Sequence, residues 1–170
     1  MTLSNVDLMR LAKHYKVQLH GVYMKDTLRT MVPKINNNYI VNLESTVNEN
    51  GTMNRGSHWV AIACTKHDCM YFDPFGSPAP KDVQFFILKK YPRFGTNSKE
   101  IQALRSVYCG WFDLMFFMYI KKKSIISFYE TCNQFTNSFE LNRDMNDLVV
   151  RKFFREITPK HPIAIDKLHI

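Results

Sequence analysis

The chain has 170 residues, 45% of them hydrophobic, which is enough for one domain with a substantial core, spanning residues 1–170 with a C-terminal tail from about residue 158. Its formal net charge is +8, so either contact with a polyanion such as DNA or an ordinary basic surface is expected. No apolar run is long enough to span a membrane and no signal peptide is evident, so we expect a soluble, non-secreted protein without a membrane partner.

The cysteines are too few for a disulfide-stabilised scaffold of this size. No pair of them has metal-ligand spacing with matching histidines, so we expect no metal site. We therefore expect reduced thiols in an intracellular compartment. The four residues are Cys64, Cys69, Cys109 and Cys132.

The first predicted element is a helix from about Asn5 to Tyr15. Ser4 and Asp7 have the spacing of a capping box, and Leu3 and Leu8 have that of a hydrophobic staple. The apolar spacing that follows continues a helical stripe. The N-terminal segment is therefore predicted to form an amphipathic helix.

The next segments predict a strand and a loop. Gly21-Val22-Tyr23 interrupts any helical continuation, and the β-branched and aromatic residues of Tyr39–Leu43 favour a strand. Residues Glu44–Ser57 are polar and rich in Asn and Gly, which is typical of a surface loop. This loop leads directly to His58.

Two short apolar runs, His58–Cys64 and Cys69–Asp73, predict an antiparallel hairpin. If Cys64 pairs with Cys69, Asp73 stands opposite Val60. Side chains alternate with a period of two, so Asp73 then lies diagonal to His58 on one face, within reach of the imidazole. An odd loop length would turn Asp73 to the other face.

After the hairpin, Pro74–Pro78 ends the strand and turns the chain. A helix is predicted from Asp82 to Tyr91, before Pro92. Residues 95–98 are predicted to form a loop, and residues 124–136 and 144–157 to form helices. The helix predicted over 82–91 is expected to contribute Val83, Phe86 and Leu88 to the core. The helix predicted over 144–157 is expected to contribute Leu148, Val149, Phe153 and Ile157.

Residues 101–123 are the segment around which the chain is organised. The second half is apolar almost all round, too short to cross a bilayer and followed by three lysines, which predicts a fully buried helix. Cys109 and Gly110 stand where this helix begins. The positive end of the helix is expected to lower the pKa of the Cys109 thiol, whereas the alternative is a small buried hydrophobic residue.

These residues supply the groups of a cysteine protease. Cys109 is the predicted nucleophile, His58 the base and later the acid, and Asp73 the group that orients the imidazole. Gln102 and the backbone at Cys109 and Gly110 are predicted to donate hydrogen bonds to the oxyanion. Trp59 is expected in the core or as a wall beside the imidazole, and the other three cysteines as buried bystanders.

Four elements follow one another in the chain, namely His58-Trp59, Asp73-Pro74-Phe75-Gly76, Gln102 and Cys109-Gly110. In this order they resemble the adenovirus-type cysteine proteases, or adenains, relatives of the SUMO-deconjugating proteases. Versions carried by virophages and Polinton-like viruses are most similar to a chain this short. The resemblance covers roughly residues 4–121, including the initial helix and Gly21-Val22-Tyr23. It implies an α+β, papain-like fold: a central mixed β-sheet, flanking helices, and the nucleophile at the N-terminus of a buried helix.

The resemblance also implies a role in virion maturation. Such an enzyme cleaves viral capsid precursor proteins, often after Gly-containing sites, in the virion and in the infected-cell interior, whether a cytoplasmic or a nuclear viral factory. The adenovirus enzyme is activated by a disulfide-linked peptide, but residues 81–108 contain no cysteine here. We therefore expect no disulfide-linked peptide and no required cofactor, while DNA or another peptide remains open as an activator.

Two other readings use the same residues. An isopeptidase that removes ubiquitin-like modifiers would need the same four catalytic side chains, and it differs in substrate grooves. A DNA-binding, capsid-associated protein could keep the fold without turnover. Retention of all four side-chain types argues against this last alternative.

Overall fold

The computed structural model describes residues 3–54, 57–122 and 127–158. Within these ranges a mixed sheet carries helices on both faces. The strands are β1 (Gly21–Met24), β2 (Asn37–Asn42), β3 (Trp59–Cys64), β4 (Cys69–Phe72) and β5 (Gly95–Thr96). The helices are α1 (Asn5–His14), α2 (Lys81–Leu88), α3 (Cys109–Lys122), α4 (Phe128–Asn137) and α5 (Asn146–Ile157), with 3₁₀ turns at Lys25–Thr30 and Arg143–Met145.

The sheet order follows the chain, from β1 at one edge to β5 at the other. The outer pairs β1–β2 and β4–β5 are parallel, and the inner pairs are antiparallel. This confirms the predicted central mixed sheet with flanking helices. The prediction missed both edge strands: Gly21–Met24 was expected only as a break, and residues 95–98 were expected as a loop.

The hairpin of β3 and β4 has the predicted register. Cys64 stands opposite Cys69 and Ala61 opposite Phe72. The antiparallel pairing is therefore in the register that places Asp73 across from Val60. The two side chains proposed to interact accordingly lie at the open end of the hairpin.

The sheet separates two hydrophobic cores, and successive residues of a strand point alternately into one core and the other. Ala61 and Phe72 pack with α1, α3, α4 and α5, whereas Val60 and Tyr71 pack with α2 on the opposite face. Trp59 is buried on the α3 side, as expected. Helix α3, which begins at Cys109, is thus held directly against the strand that follows His58.

The N-terminal helix begins as predicted. The backbone N–H of Asp7 donates to Ser4 Oγ at 3.2 Å, and the backbone N–H of Ser4 donates to Asp7 Oδ2 at 3.0 Å. Leu3 and Leu8 are both buried. These bonds satisfy backbone donors that a helix N-terminus otherwise leaves unpaired.

The predicted core side of α2 is wrong at Leu88. This helix begins at Lys81 and ends at Leu88, before the predicted Tyr91. Leu88 is 49% exposed, and Ile87 is buried in its place beside Val83 and Phe86. In a helix of 3.6 residues per turn, positions 83, 86 and 87 share one face and position 88 turns away from it.

The predicted core side of α5 is displaced by one residue. Leu148 is 52% exposed, while Val150 and Phe154 are buried. The Phe154 ring packs against Trp111 of α3, with centroids 4.8 Å apart. Val149, Phe153 and Ile157, also predicted for this side, are partly buried and pack at the margin of the same core.

Several predicted boundaries lie outside the described residues. These are the start of the helix predicted at Ser124, Lys123 at the end of the preceding helix, and the tail beyond Thr158 with Pro159 and Pro162. The helix predicted over 144–157 is a 3₁₀ turn followed by α5. None of the helices in the described ranges has the length and apolarity needed to cross a membrane.

Candidate active site

The open end of the hairpin brings His58 and Asp73 into contact. His58 immediately precedes β3 and Asp73 immediately follows β4, and His58 Nε2 lies 2.8 Å from Asp73 Oδ1. The imidazole also packs on the Phe75 ring, with centroids 4.6 Å apart. Its other nitrogen, Nδ1, is buried and has no hydrogen-bond partner among the described residues. The ring is therefore oriented through Nε2, and its Nδ1 is left without a hydrogen-bond partner.

Asp73 is held by more than the histidine. The backbone N–H of Phe75 donates to Oδ1 at 2.8 Å, and the Tyr71 hydroxyl donates to Oδ2 at 3.4 Å. The Asn97 side chain binds the Asp73 backbone on both sides, accepting from its N–H at 2.9 Å and donating to its carbonyl at 2.6 Å. These contacts hold the carboxylate and the backbone of Asp73 in place beside the imidazole.

Asn97 was not predicted as a site residue. It follows β5, which pairs in parallel with β4. Its side chain is almost fully buried in consequence. An Asn in a Gly-Thr-Asn-Ser run is typical of an exposed turn, so the local sequence gives no signal for this role.

The turn after Asp73 connects the histidine side of the site to the glutamine. Gly76 N–H donates to the Asp73 carbonyl at 2.8 Å and has φ +67°. A Cβ on Gly76 would lie 2.7 Å from the Ser98 carbonyl oxygen, so glycine is required by both conformation and space. The Pro74 carbonyl accepts the backbone N–H of Gln102 at 3.1 Å. The Asp-Pro-Phe-Gly segment therefore positions Gln102 as well as Asp73.

Cys109 is the first residue of α3, as predicted. The backbone N–H groups of Trp59, Gly110 and Cys109 itself stabilise a negative charge on its sulfur. Gly110 is packed closely, because a Cβ there would lie 2.8 Å from a Leu8 methyl carbon. The start of α3 and the start of β3 thus meet at the sulfur, one residue from His58.

The expected lowering of the Cys109 pKa is wrong for this structure. Burial raises the pKa of the thiol to about 12, and the negative charge of Asp113 acts in the same direction. The backbone donors at the helix start lower the pKa, but they do not compensate for the loss of solvation. Removal of the proton from the Cys109 sulfur therefore needs a base. His58 directly precedes Trp59, whose backbone N–H contacts the sulfur, and its Nδ1 has no hydrogen-bond partner among the described residues.

Gln102 is buried next to the turn that follows Asp73. Its Nε2 donates to the Ser106 carbonyl at 3.0 Å, which leaves a second N–H on the same nitrogen. Its Oε1 has no partner within the described part of the chain. The Ser106 hydroxyl in turn contacts Asp147 Oδ1 of α5 at 2.7 Å. The loop between Gln102 and Cys109 is therefore attached to α5.

Asp113 is a second buried carboxyl that the prediction did not include. It lies one turn beyond Cys109 on α3 and is 0% exposed. Neither of its oxygens has a hydrogen-bond partner among the residues described. Burial raises its pKa well above the usual value, and the negative charge of Asp73 adds to this. An acid within an apolar run of a predicted core helix was the signal available in the sequence.

The other cysteines lie away from His58. Cys64 and Cys69 face each other at the closed end of the hairpin, with 3.4 Å between their sulfur atoms, and Cys132 is buried in α4. All are free thiols. Across the described ranges, His, Cys, Asp and Glu residues form no group that could hold a metal ion.

Comparison with known proteins gives distant structural similarity only. No protein-family model and no curated protein matches the chain. The ASFV pS273R protease matches with 16% identity and a TM-score of 0.40 over 80% of this chain. The central domain of the uncharacterized Lpg1148 protein from Legionella pneumophila matches with 14% identity and a TM-score of 0.45, over 91% of this chain and 94% of that domain. The chain spans 65% of the length of the ASFV protease.

Proposed function

We propose that this protein is a viral cysteine endopeptidase that cleaves capsid precursor proteins during virion maturation. The observation that carries the proposal is the hydrogen bond of 2.8 Å between His58 and Asp73, with His58 Nδ1 left unpartnered. The residue after His58 meets the Cys109 sulfur through its backbone N–H. An oriented imidazole beside a thiol at a helix start is the arrangement used by cysteine proteases.

The first step is activation of the thiol. Because burial holds the proton on Cys109, the thiolate forms as His58 Nδ1 accepts that proton. Asp73 stabilises the resulting imidazolium through Nε2. The sulfur then attacks the scissile carbonyl carbon, and the electron pair of the carbonyl moves to its oxygen.

The second step is collapse of the tetrahedral intermediate. The Cys109 backbone N–H and the second N–H of Gln102 Nε2 stabilise the oxyanion. The carbon–nitrogen bond breaks as His58 donates its proton to the leaving amine, and the acyl group remains bound to Cys109 as a thioester. Water, deprotonated by His58, hydrolyses the thioester and regenerates the thiol.

The substrates, location and activators belong to the same proposal. Capsid precursor proteins are the proposed substrates, in the virion and the infected-cell interior. The net charge of +8 supports DNA as a surface-bound activator, and no disulfide-linked peptide is proposed. The predicted catalytic set remains His58, Asp73, Gln102 and Cys109, with Gly110 supporting the helix start and Trp59 packing beside it.

The first experiment is labelling with a thiol-specific electrophile at neutral pH, with the modified cysteine located by mass spectrometry. Selective labelling of Cys109 that weakens in His58→Ala supports an activated pair. Cys132 is the internal control, because it is equally buried and has no histidine assigned to it. Labelling of Cys109 no faster than Cys132, with and without added DNA, would contradict the proposal.

Substrate probes then separate the enzyme classes. Cleavage of capsid-derived peptides at internal sites supports an endopeptidase. Trapping by a ubiquitin-like probe ending in diglycine, without peptide cleavage, would instead favour the isopeptidase. Salt-dependent DNA binding with no thiol reactivity would favour the non-catalytic alternative.

A further inference from the structure

Two buried carboxyl groups, Asp73 of the proposed catalytic set and Asp113 of α3, differ in their hydrogen-bond partners. Asp73 contacts His58 Nε2 and accepts hydrogen bonds from the Phe75 N–H and the Tyr71 hydroxyl. Asp113 accepts none from the described residues, although it is equally buried. Because a buried carboxylate without donors is strongly destabilised, the two groups are suited to different protonation states.

The position of Asp113 relates it to the nucleophile. Residues 109 and 113 are four apart in α3, so they lie on the same side of the helix in successive turns. The charge of Asp113 acts on Cys109 within its own helix and on Tyr71 of β4, and the charge of Asp73, just after β4, acts on Asp113. His58, before β3, is linked to this group through Asp73. Cys109, Tyr71 and Asp73 are therefore titratable groups close enough to Asp113 for charge interactions.

We propose that Asp113 is a positioning residue that works as a neutral acid. While protonated, it lies one turn beyond Cys109 in α3 and adds no charge beside Asp73, which contacts His58. When Asp113 loses its proton at higher pH, its charge opposes a thiolate on Cys109 and the charge of Asp73. This proposal rests on the proposed protease function.

The stability of the folded protein provides a test that does not depend on activity. Asp in an unfolded chain ionises at a pH of about 3.9, whereas burial keeps Asp113 protonated in the folded chain to a higher pH. Its contribution to stability is complete below the unfolded pKa and is lost as the pH rises through the folded pKa. Asp113→Asn has nearly the same shape and cannot ionise, so its stability relative to wild type should increase as the pH rises above about 4, the unfolded-chain pKa.

The reactivity of Cys109 provides the functional test. The labelling rates of wild type and Asp113→Asn should coincide at low pH and diverge as the pH rises, with the variant becoming up to about tenfold faster, as for one pK unit. Asp82→Asn is the matched control, because Asp82 lies on α2 and pairs with Arg29. That control should follow the wild-type profile at every pH.

Each result either supports or overturns the assignment. If the curves of stability against pH for wild type and Asp113→Asn ran parallel, Asp113 would ionise in the folded protein as it does in the unfolded chain. Rising stability of Asp113→Asn with an unchanged labelling profile would reduce Asp113 to a structural residue. A folded Asp113→Asn that fails to label at all pH values would mean that its carboxyl is required rather than silent. If wild-type Cys109 itself is unreactive, the proposed function fails instead.

Discussion

The two ends of the β3–β4 hairpin differ in chemistry although one register aligns both. At the closed end Cys64 faces Cys69, two buried thiols, and the contact with the Cys64 thiol together with burial raises the pKa of Cys69. At the open end His58 meets Asp73, which has further donors from a turn and a tyrosine. Pairing alone therefore brings side chains together. The hydrogen-bond partners around each pair determine what the pair can do.

The largest expected effect comes from Asp73→Asn at the open end. The amide keeps the shape of the side chain but removes the charge that stabilises the imidazolium, so kcat should fall about 10⁴-fold. Peptide-cleavage kinetics measure this, with circular dichroism to confirm the fold. Asp68→Asn, the same change in the turn at the closed end, should leave kcat unchanged. Equal losses in both variants would break the distinction between the two ends.

Gln102→Ala tests how far the open end extends beyond the hairpin. Gln102 is tied to the turn after Asp73 through the Pro74 carbonyl, and its amide is the proposed oxyanion donor. Its removal should lower kcat about 10²- to 10³-fold with little change in KM. Gln102→Glu keeps the shape without the donor and should behave similarly. A defect confined to KM would contradict the oxyanion role.

Asn97→Ala tests the support behind Asp73. Its side chain binds the Asp73 N–H and carbonyl, and both groups would lose a buried partner. We expect unfolding free energy to fall by about 1–3 kcal/mol. We also expect kcat to fall about 10- to 100-fold, because small displacements of catalytic groups are costly. Chemical denaturation and cleavage kinetics on the same sample separate the two effects. A stability loss without a rate loss would show that Asp73 holds its position without Asn97.

Local rules were sufficient where neighbours in sequence are also neighbours in space. The Ser4–Asp7 capping box depends on one helical turn, and the His58–Asp73 contact depends on a short turn and a period of two. Both could therefore be read from the sequence. Cys109 was a candidate because it stands at the start of the predicted buried helix, and Gln102 because an oxyanion donor was needed before it; the resemblance in motif order then supported both.

Features that depend on distant packing were missed. The parallel strand β5 has two residues and exists because β4 lies beside it, and Asn97 is buried for the same reason. The pKa of Cys109 was predicted in the wrong direction because the favourable helix end was given more weight than the burial of the thiol, which is the larger effect in the structure. Leu88 and Leu148 were misplaced because apolar spacing does not determine which side of a short helix meets the sheet or α3.

The smallest expected effect comes from the closed end of the hairpin. Cys64→Ala and Cys69→Ala each remove a buried sulfur, so unfolding free energy should fall by roughly 0.5–3 kcal/mol in denaturant titrations. Neither should change kcat, because the bonds that hold His58 and Asp73 come from the turn, Tyr71 and Asn97. Cys132→Ala, a buried cysteine outside the hairpin, is the matched control and should behave alike. If either hairpin variant lowered kcat while Cys132→Ala did not, packing at the closed end would be setting the register at the open end, and the two ends would act as one unit.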